Sequence, residues 1–174
     1  MFRRILMVRP FVAILIGSDL DLPRIQLAVD VLKKLDVPVE VKVHSAHHTP
    51  EAIRNYVKDA DQRGAAAFIA CAGMAAHLAG VVSSLTIKPV IGVPIDTGPL
   101  DGLDALLSTV QMPGGIPVAT VALGEDGATN AGYLAAQIIA LNDKDLANRL
   151  RMDRQASAEA VLAKDAVLQQ QLNH

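Results

Sequence analysis

Residues 11–35, FVAILIGSDLDLPRIQLAVDVLKKL, join a short, wholly apolar run to a glycine-serine turn and then to a longer stretch with helically spaced apolar residues. An apolar run of six residues bounded by a turn reads as a strand buried on both faces. Leu22 to Leu35 then reads as an amphipathic helix, with Pro23 near its start. The couplet recurs: VEVKV at 39–43 precedes a helical stretch from Pro50 to Gln62, and AAAFIACA at 65–72 precedes another from Ala75 to Leu85. Two more apolar runs, Pro89 to Val93 and Pro117 to Leu123, flank a helix expected over Leu103 to Val110. Pro94 is placed just after the fourth strand, and Met112-Pro-Gly-Gly-Ile-Pro leads into the fifth. Strands alternating with helices predict βαβ units and an α/β fold with a five-stranded parallel sheet.

Further along, Thr49 is expected to cap the helix that Pro50 begins. From Asp126 onward the chain reads as helical, first Ala-rich to Leu141, then charged and amphipathic from Lys144 to about Gln171. So long a tail has little room on a small domain and is expected to pack on a neighbouring subunit. The organisation is therefore an extension over 1–10, an α/β domain over 11–142 and a helical tail over 143–174. The opening MFRRILMVRPFVAILIG is basic and then apolar, but its apolar run is short and no small-residue cleavage site follows, so it reads as an extension plus the first strand rather than a signal peptide. Met7 is an alternative to Met1 as the native start.

Composition narrows the function. The 174 residues suit one domain; 51% are hydrophobic, mostly Ala, Val, Leu and Ile, and only 3% aromatic, with no Trp. That suits helices packed on a sheet and offers little for stacking on bases. A formal net charge of -2 with dispersed Lys and Arg leaves no footprint for nucleic acid, and no membrane surface is expected as a partner. The single cysteine, Cys71, has no partner for a disulfide or a CxxC metal site, which points to a reducing, cytoplasmic compartment. It sits in an apolar strand and reads as inert core.

In open α/β sheets ligands bind outside the C-terminal ends of the strands. Three segments fall there: Gly17-Ser18-Asp19-Leu20-Asp21, Ser45-Ala46-His47-His48-Thr49-Pro50 and Gly73-Met74-Ala75-Ala76-His77-Leu78. In the first, Ser18 or Asp21 either caps a helix or helps its amides hold an anion. In the second, His47 and His48 offer imidazoles that exchange protons near neutral pH, though adjacent side chains do not easily face one pocket. In the third, small residues let backbone approach a ligand; His77 is either part of the site or bonded to a carbonyl in the interior. His44, His47, His48 and His77 match no metal signature, so no metal is expected. No GxSxG, P-loop or GxGxxG is present, which leaves acyl transfer, nucleotide hydrolysis and dinucleotide binding without support.

From about Val12 to Leu150 the chain resembles the class I PurE family, the N5-carboxyaminoimidazole ribonucleotide mutases of purine biosynthesis. The resemblance is carried by Gly17-Ser18-x-x-Asp21, Ser45-Ala46-His47-x-Thr49-Pro50, Ala72-Gly73-x-Ala75-Ala76-His77-Leu78-x-Gly80 and Gly92-Val93-Pro94. Residues 106–118, LLSTVQMPGGIPV, and Asn130-Ala-Gly-Tyr-Leu-Ala-Ala-Gln-Ile complete it. It implies a flavodoxin-like three-layer α/β/α sandwich, a homo-octamer with active sites between subunits, and no metal or organic cofactor. It also implies that His47 carries the proton, while Ser18 and Asp21 contact the ribose and phosphate of an imidazole ribonucleotide. Ser45, Ala46, His48, Gly73, Ala75, Ala76, His77 and Leu78 are the further substrate-binding positions, those from Gly73 to His77 around the carboxylate.

The chain departs from the family pattern at several of these places. Leu20 stands for a serine and His48 for an arginine, both used by the family around phosphate; Met74 stands for glycine and Ala79 for proline. Asp96-Thr-Gly-Pro-Leu-Asp101 replaces a Ser- and Ala-rich loop. Two competing readings follow: a PurE-like carboxylase or decarboxylase acting on a related heterocycle in another pathway, and a noncatalytic flavodoxin-like binding protein.

Overall fold

The computed structural model describes residues 9–173, so most of the 1–10 extension and the choice between Met1 and Met7 lie outside the described residues. Its five strands are β1 (Phe11–Ile16), β2 (Val39–Val43), β3 (Ala65–Gly73), β4 (Val90–Ile95) and β5 (Ala119–Thr120). All pair in parallel, in the order β2-β1-β3-β4-β5. The helices are α1 (Leu22–Lys34), α2 (Pro50–Gln62), α3 (Leu78–Ser83), α4 (Leu103–Val110), α5 (Gly124–Ala140) and α6 (Lys144–Leu172).

Strand period divides the core into two layers. Val12, Ile14 and Ile16 of β1, with Ala67, Ile69 and Cys71 of β3, face α1 and α5. Ala13, Leu15, Phe68 and Ala70 face the opposite way, against Ile53 and Val57 of α2 and Leu78 and Val82 of α3. Burial on both faces is why these strands are apolar without a polar beat. Each fully buried Ile or Leu contributes roughly 1.5–3 kcal/mol. Gly92 in β4 shows no side chain to the second layer; a Cβ there would lie 2.4 Å from Thr109 Cγ2, so α4 packs directly on the strand. The result is the expected flavodoxin-like α/β/α sandwich.

The structure corrects several boundaries. The fifth strand is two residues rather than Pro117 to Leu123, because it pairs with β4 alone and prolines at 113 and 117 lack the N–H that a ladder needs. β4 runs through Pro94 instead of ending before it. Pro94 is tolerated because β5 meets only Ile91 and Gly92, leaving β4 without that neighbour further on. α3 begins at Leu78, not Ala75, since residues 74–77 form the connecting turn. Thr49 is not a side-chain cap: its hydroxyl donates to the Ser45 carbonyl (3.1 Å) and accepts from the Ser45 amide (2.9 Å). α5 starts at Gly124 rather than Asp126.

Among the described residues no helix is long and apolar enough to cross a membrane. α6 is 29 residues long, and only Leu146 and Asp153 of it are buried. Arg149 Nε donates to the Leu35 carbonyl (2.9 Å), while the Asp153 carboxylate accepts from Tyr133 Oη and pairs with Lys34. Beyond Asp153, residues 154–173 are exposed throughout.

Candidate active site

The order of the strands reverses at β1 and β3, so the connections leaving their C-terminal ends run to opposite faces and leave a crevice. A cavity of about 540 Å³ occupies it. Segments that are far apart in the chain meet there: Ser18 and Asp21 after β1, Ser45, Ala46 and His47 after β2, and Gly73, Ala75, His77 and Leu78 around the end of β3. A groove of about 820 Å³ lies elsewhere, but its walls hold only Asp61 and Lys88 as titratable groups. The crevice holds Asp21, His47 and His77, which is the set that acid-base chemistry needs.

His47 is presented by a tight loop built on Ser45. The Ser45 hydroxyl accepts from the amides of His47 (3.3 Å) and His48 (3.2 Å), and Thr49 ties the loop's two ends. This turns His47 toward the cavity, where Nε2 lies 2.7 Å from Nδ1 of His77 with the rings nearly perpendicular, at 81°. At that distance one ring donates an N–H to the other.

His48 takes the other direction. Its Nδ1 is 3.1 Å from the Ser45 hydroxyl, and it is not in the cavity wall. Ala76 is likewise not in the wall; it is buried, and its amide donates to Ser108 Oγ (3.0 Å). The adjacent His77 amide donates to the Ala75 carbonyl. His44 is packed against the Tyr56 ring, away from His47 and His77, and burial pulls its imidazole below the ordinary range. Among the described residues no three or more His, Cys, Asp or Glu side chains could together hold a metal. Cys71 is buried in the core, and desolvation pushes its thiol well up, as expected of an inert residue.

At the first loop Ser18 accepts from the Leu20 amide (3.2 Å) and caps the 3₁₀ turn Asp19–Asp21. The Asp21 amide goes to the Ser18 carbonyl. Two of the amides that would hold an anion after Ser18 are thus already bonded. Asp21 is only 6% exposed. Desolvation raises its carboxyl above the usual range, against a smaller opposing pull from Arg24. Arg24 Nε donates to Asp96 (3.0 Å), joining the α1 end to the loop after β4.

Gly17, Leu20 and Met74 fall in the strand-end segments and Ala72 in the motif of the third, without being named as contacts, and Thr97 falls in none of them; all five line the cavity. Thr97 follows β4 as Ser18 follows β1, so the strand-end rule could have found it. Gly73 lets Thr97 close on the β3 loop, since a Cβ there would stand 2.0 Å from Thr97 Oγ1.

The sequence model of the family described as AIR carboxylase matches residues 11–160, a span that contains every residue of the cavity wall. The chain is 48% identical over 155 residues to the N5-carboxyaminoimidazole ribonucleotide mutase of Bacillus subtilis (strain 168), covering 89% of this chain and 96% of that protein. It is 51% identical over 160 residues to the mutase of that name from Synechocystis sp., covering 92% of this chain and 90% of the relative. Among solved structures, Treponema denticola PurE superposes with a TM-score of 0.82 at 29% identity, covering 91% of this chain and 98% of that one.

Proposed function

The chain belongs to the AIR carboxylase family, and we propose accordingly that it is an N5-carboxyaminoimidazole ribonucleotide mutase, an isomerase of purine biosynthesis. The observation that carries this reading is the identity of about one half to mutases of that name, over about nine-tenths of the chain. The competing readings, another heterocycle or a noncatalytic binder, draw no support from these relatives.

In the proposed reaction His47, protonated, gives its proton to the exocyclic nitrogen that bears the carboxylate. The N–C bond breaks and carbon dioxide is released beside the aminoimidazole ribonucleotide. Ring carbon 4, made nucleophilic by the amino group, then bonds to the carbon dioxide, and neutral His47 removes the proton from that carbon. One imidazole is acid and then base, and the proton count returns to its start. His77, 2.7 Å away, holds the orientation of the His47 ring. Ser45 acts through the loop, Ser18 and Asp21 border the ribose end, and Ala46, Gly73, Ala75 and Leu78 shape the walls. His48, bonded to Ser45 at the edge of this loop, serves the phosphate from outside the wall, and Ala76 supports the turn through Ser108. The reading invokes no metal or organic cofactor.

A homo-octamer in the cytoplasm belongs to the same reading. Leu100, Leu103, Leu107 and Val110 form an exposed apolar stripe along α4 and the turn before it, and α6 beyond Asp153 is exposed throughout. Both surfaces suit contacts between copies. Cys71, buried and alone, needs no oxidising compartment.

The test is conversion of N5-carboxyaminoimidazole ribonucleotide, followed by absorbance of the 4-carboxylated product, with complementation of a purine auxotroph beside it. Turnover and growth are expected. Failure of both would overturn the assignment.

A further inference from the structure

Among the described residues only Asp36, Met74 and Asp101 are non-glycine residues at positive φ, and Met74 is the one without a short polar side chain to ease that conformation. Its φ is 55°. Strain of this kind persists where the surrounding structure imposes it, and it clusters at functional sites. Nothing in the core holds Met74: it is 56% exposed and lines the crevice between Gly73 and Ala75. Its stem lies along the loop after β4, with Cγ 3.1 Å from the place a Cβ on Gly98 would occupy. Gly98 leaves that space open. On the loop after β1, Leu20 also lines the cavity and is 78% exposed. No lysine or arginine lines the cavity among the described residues.

We propose that Met74 is a specificity-determining residue whose thioether covers a face of the planar heterocycle bound in the crevice, with Leu20 as a second apolar contact, so that recognition rests on the ring more than on the phosphate. The proposal takes the identity of the ring, an aminoimidazole, from the function proposed above. Methionine is well matched to such a contact, because three rotatable bonds let it drape over a ligand and its polarisable sulfur favours aromatic rings. An apolar side chain left in water at a cavity mouth also gains from every part of its surface that a ligand covers.

Dissociation constants of aminoimidazole ribonucleotide and of its nucleoside, measured by calorimetry for the full-length protein and for M74G, M74Q and M74L, test this. M74G and M74Q should weaken both ligands by the same factor, about threefold to tenfold, the range of a sulfur-aromatic contact. M74L, which keeps the apolar bulk, should stay within about threefold of the starting protein. M74G should not lower the melting temperature, since glycine adopts positive φ freely. Unchanged binding in M74G, a loss confined to the phosphorylated ligand, or no binding of either ligand by the starting protein would overturn the proposal. Failure of the mutase assignment reads differently, as absence of isomerisation by the starting protein whatever the ratios among variants.

Discussion

His47 and His48 are adjacent in sequence and identical in chemistry, and the Ser45-centred loop sends them different ways. Only His47 enters the cavity and meets His77. His47→Asn is therefore expected to cost about a hundredfold or more in turnover, the worth of general acid-base catalysis, with ligand binding largely kept. His48→Asn should be far milder in the same steady-state assay; equal losses would mean that the proton passes through neither ring in particular. Asp21 supplies a second prediction. Its folded carboxyl titrates above the ordinary aspartate range because burial disfavours the anion. A raised acid binds more protons folded than unfolded, so its contribution to stability falls as pH rises from the ordinary aspartate range, about 3.9, through the folded value. At pH 7 the buried charge is a cost. Asp21→Asn should melt higher than the unsubstituted protein at pH 7, the difference should close in acid, and ribonucleotide binding should weaken. A lower melting temperature at pH 7 would contradict the desolvation account.

Among the elements, α6 is attached by few groups. Burial of Leu146, the Arg149 bond to Leu35 and the Asp153 cluster with Tyr133 and Lys34 hold its first half against α1 and α5. The Lys34 ammonium and the Tyr133 hydroxyl hold the Asp153 carboxyl below its usual range. A lowered acid stabilises the fold above its unfolded value, about 3.9, and that contribution is lost as pH falls through the folded value. Acidification should thus release α6 early, seen as protease cleavage within residues 144–173 before the sheet melts. Tyr133→Phe removes one bond to a charged acceptor and should cost about 1.5 kcal/mol or more in denaturant titration, leaving turnover per folded molecule intact. No change in stability would place α6 under other control. The elements also explain which boundaries were legible. β1, β3 and β4 are apolar runs because both faces are buried, whereas β5 is a two-residue edge among prolines and offers no pattern to read.

For the molecule as a whole, residues 154–173 matter most, because this part of α6 stays exposed although the helix begins packed on α1 and α5. Helices in isolation are marginal in water, so partners outside the subunit are the simplest source of their stability. Light scattering should report an octamer for the full chain and smaller species for a chain ending at Ser157. A monomer at micromolar concentration for the full chain would remove the octamer, and with it the intersubunit site.

Periodicity, proline position and apolar run length are local properties, and they were enough to specify an α/β fold with a parallel sheet, most of the elements and the three strand-end segments, while the layered sandwich came from the family resemblance. They also marked His47 and His77 separately, as polar groups where strands end. The meeting of those two rings at 2.7 Å was a matter for the folded chain alone, since parallel pairing of β2, β1 and β3 aligns loops that lie 30 residues apart. The same holds for Asp21, which the sequence placed in the turn after β1 and whose burial comes from neighbours brought by other elements. Side-chain direction in a loop depends on hydrogen bonds such as those of Ser45, which no spacing rule records; the residues alone left His47 and His48 equivalent, the family resemblance named His47, and their divergence in space belongs to the fold.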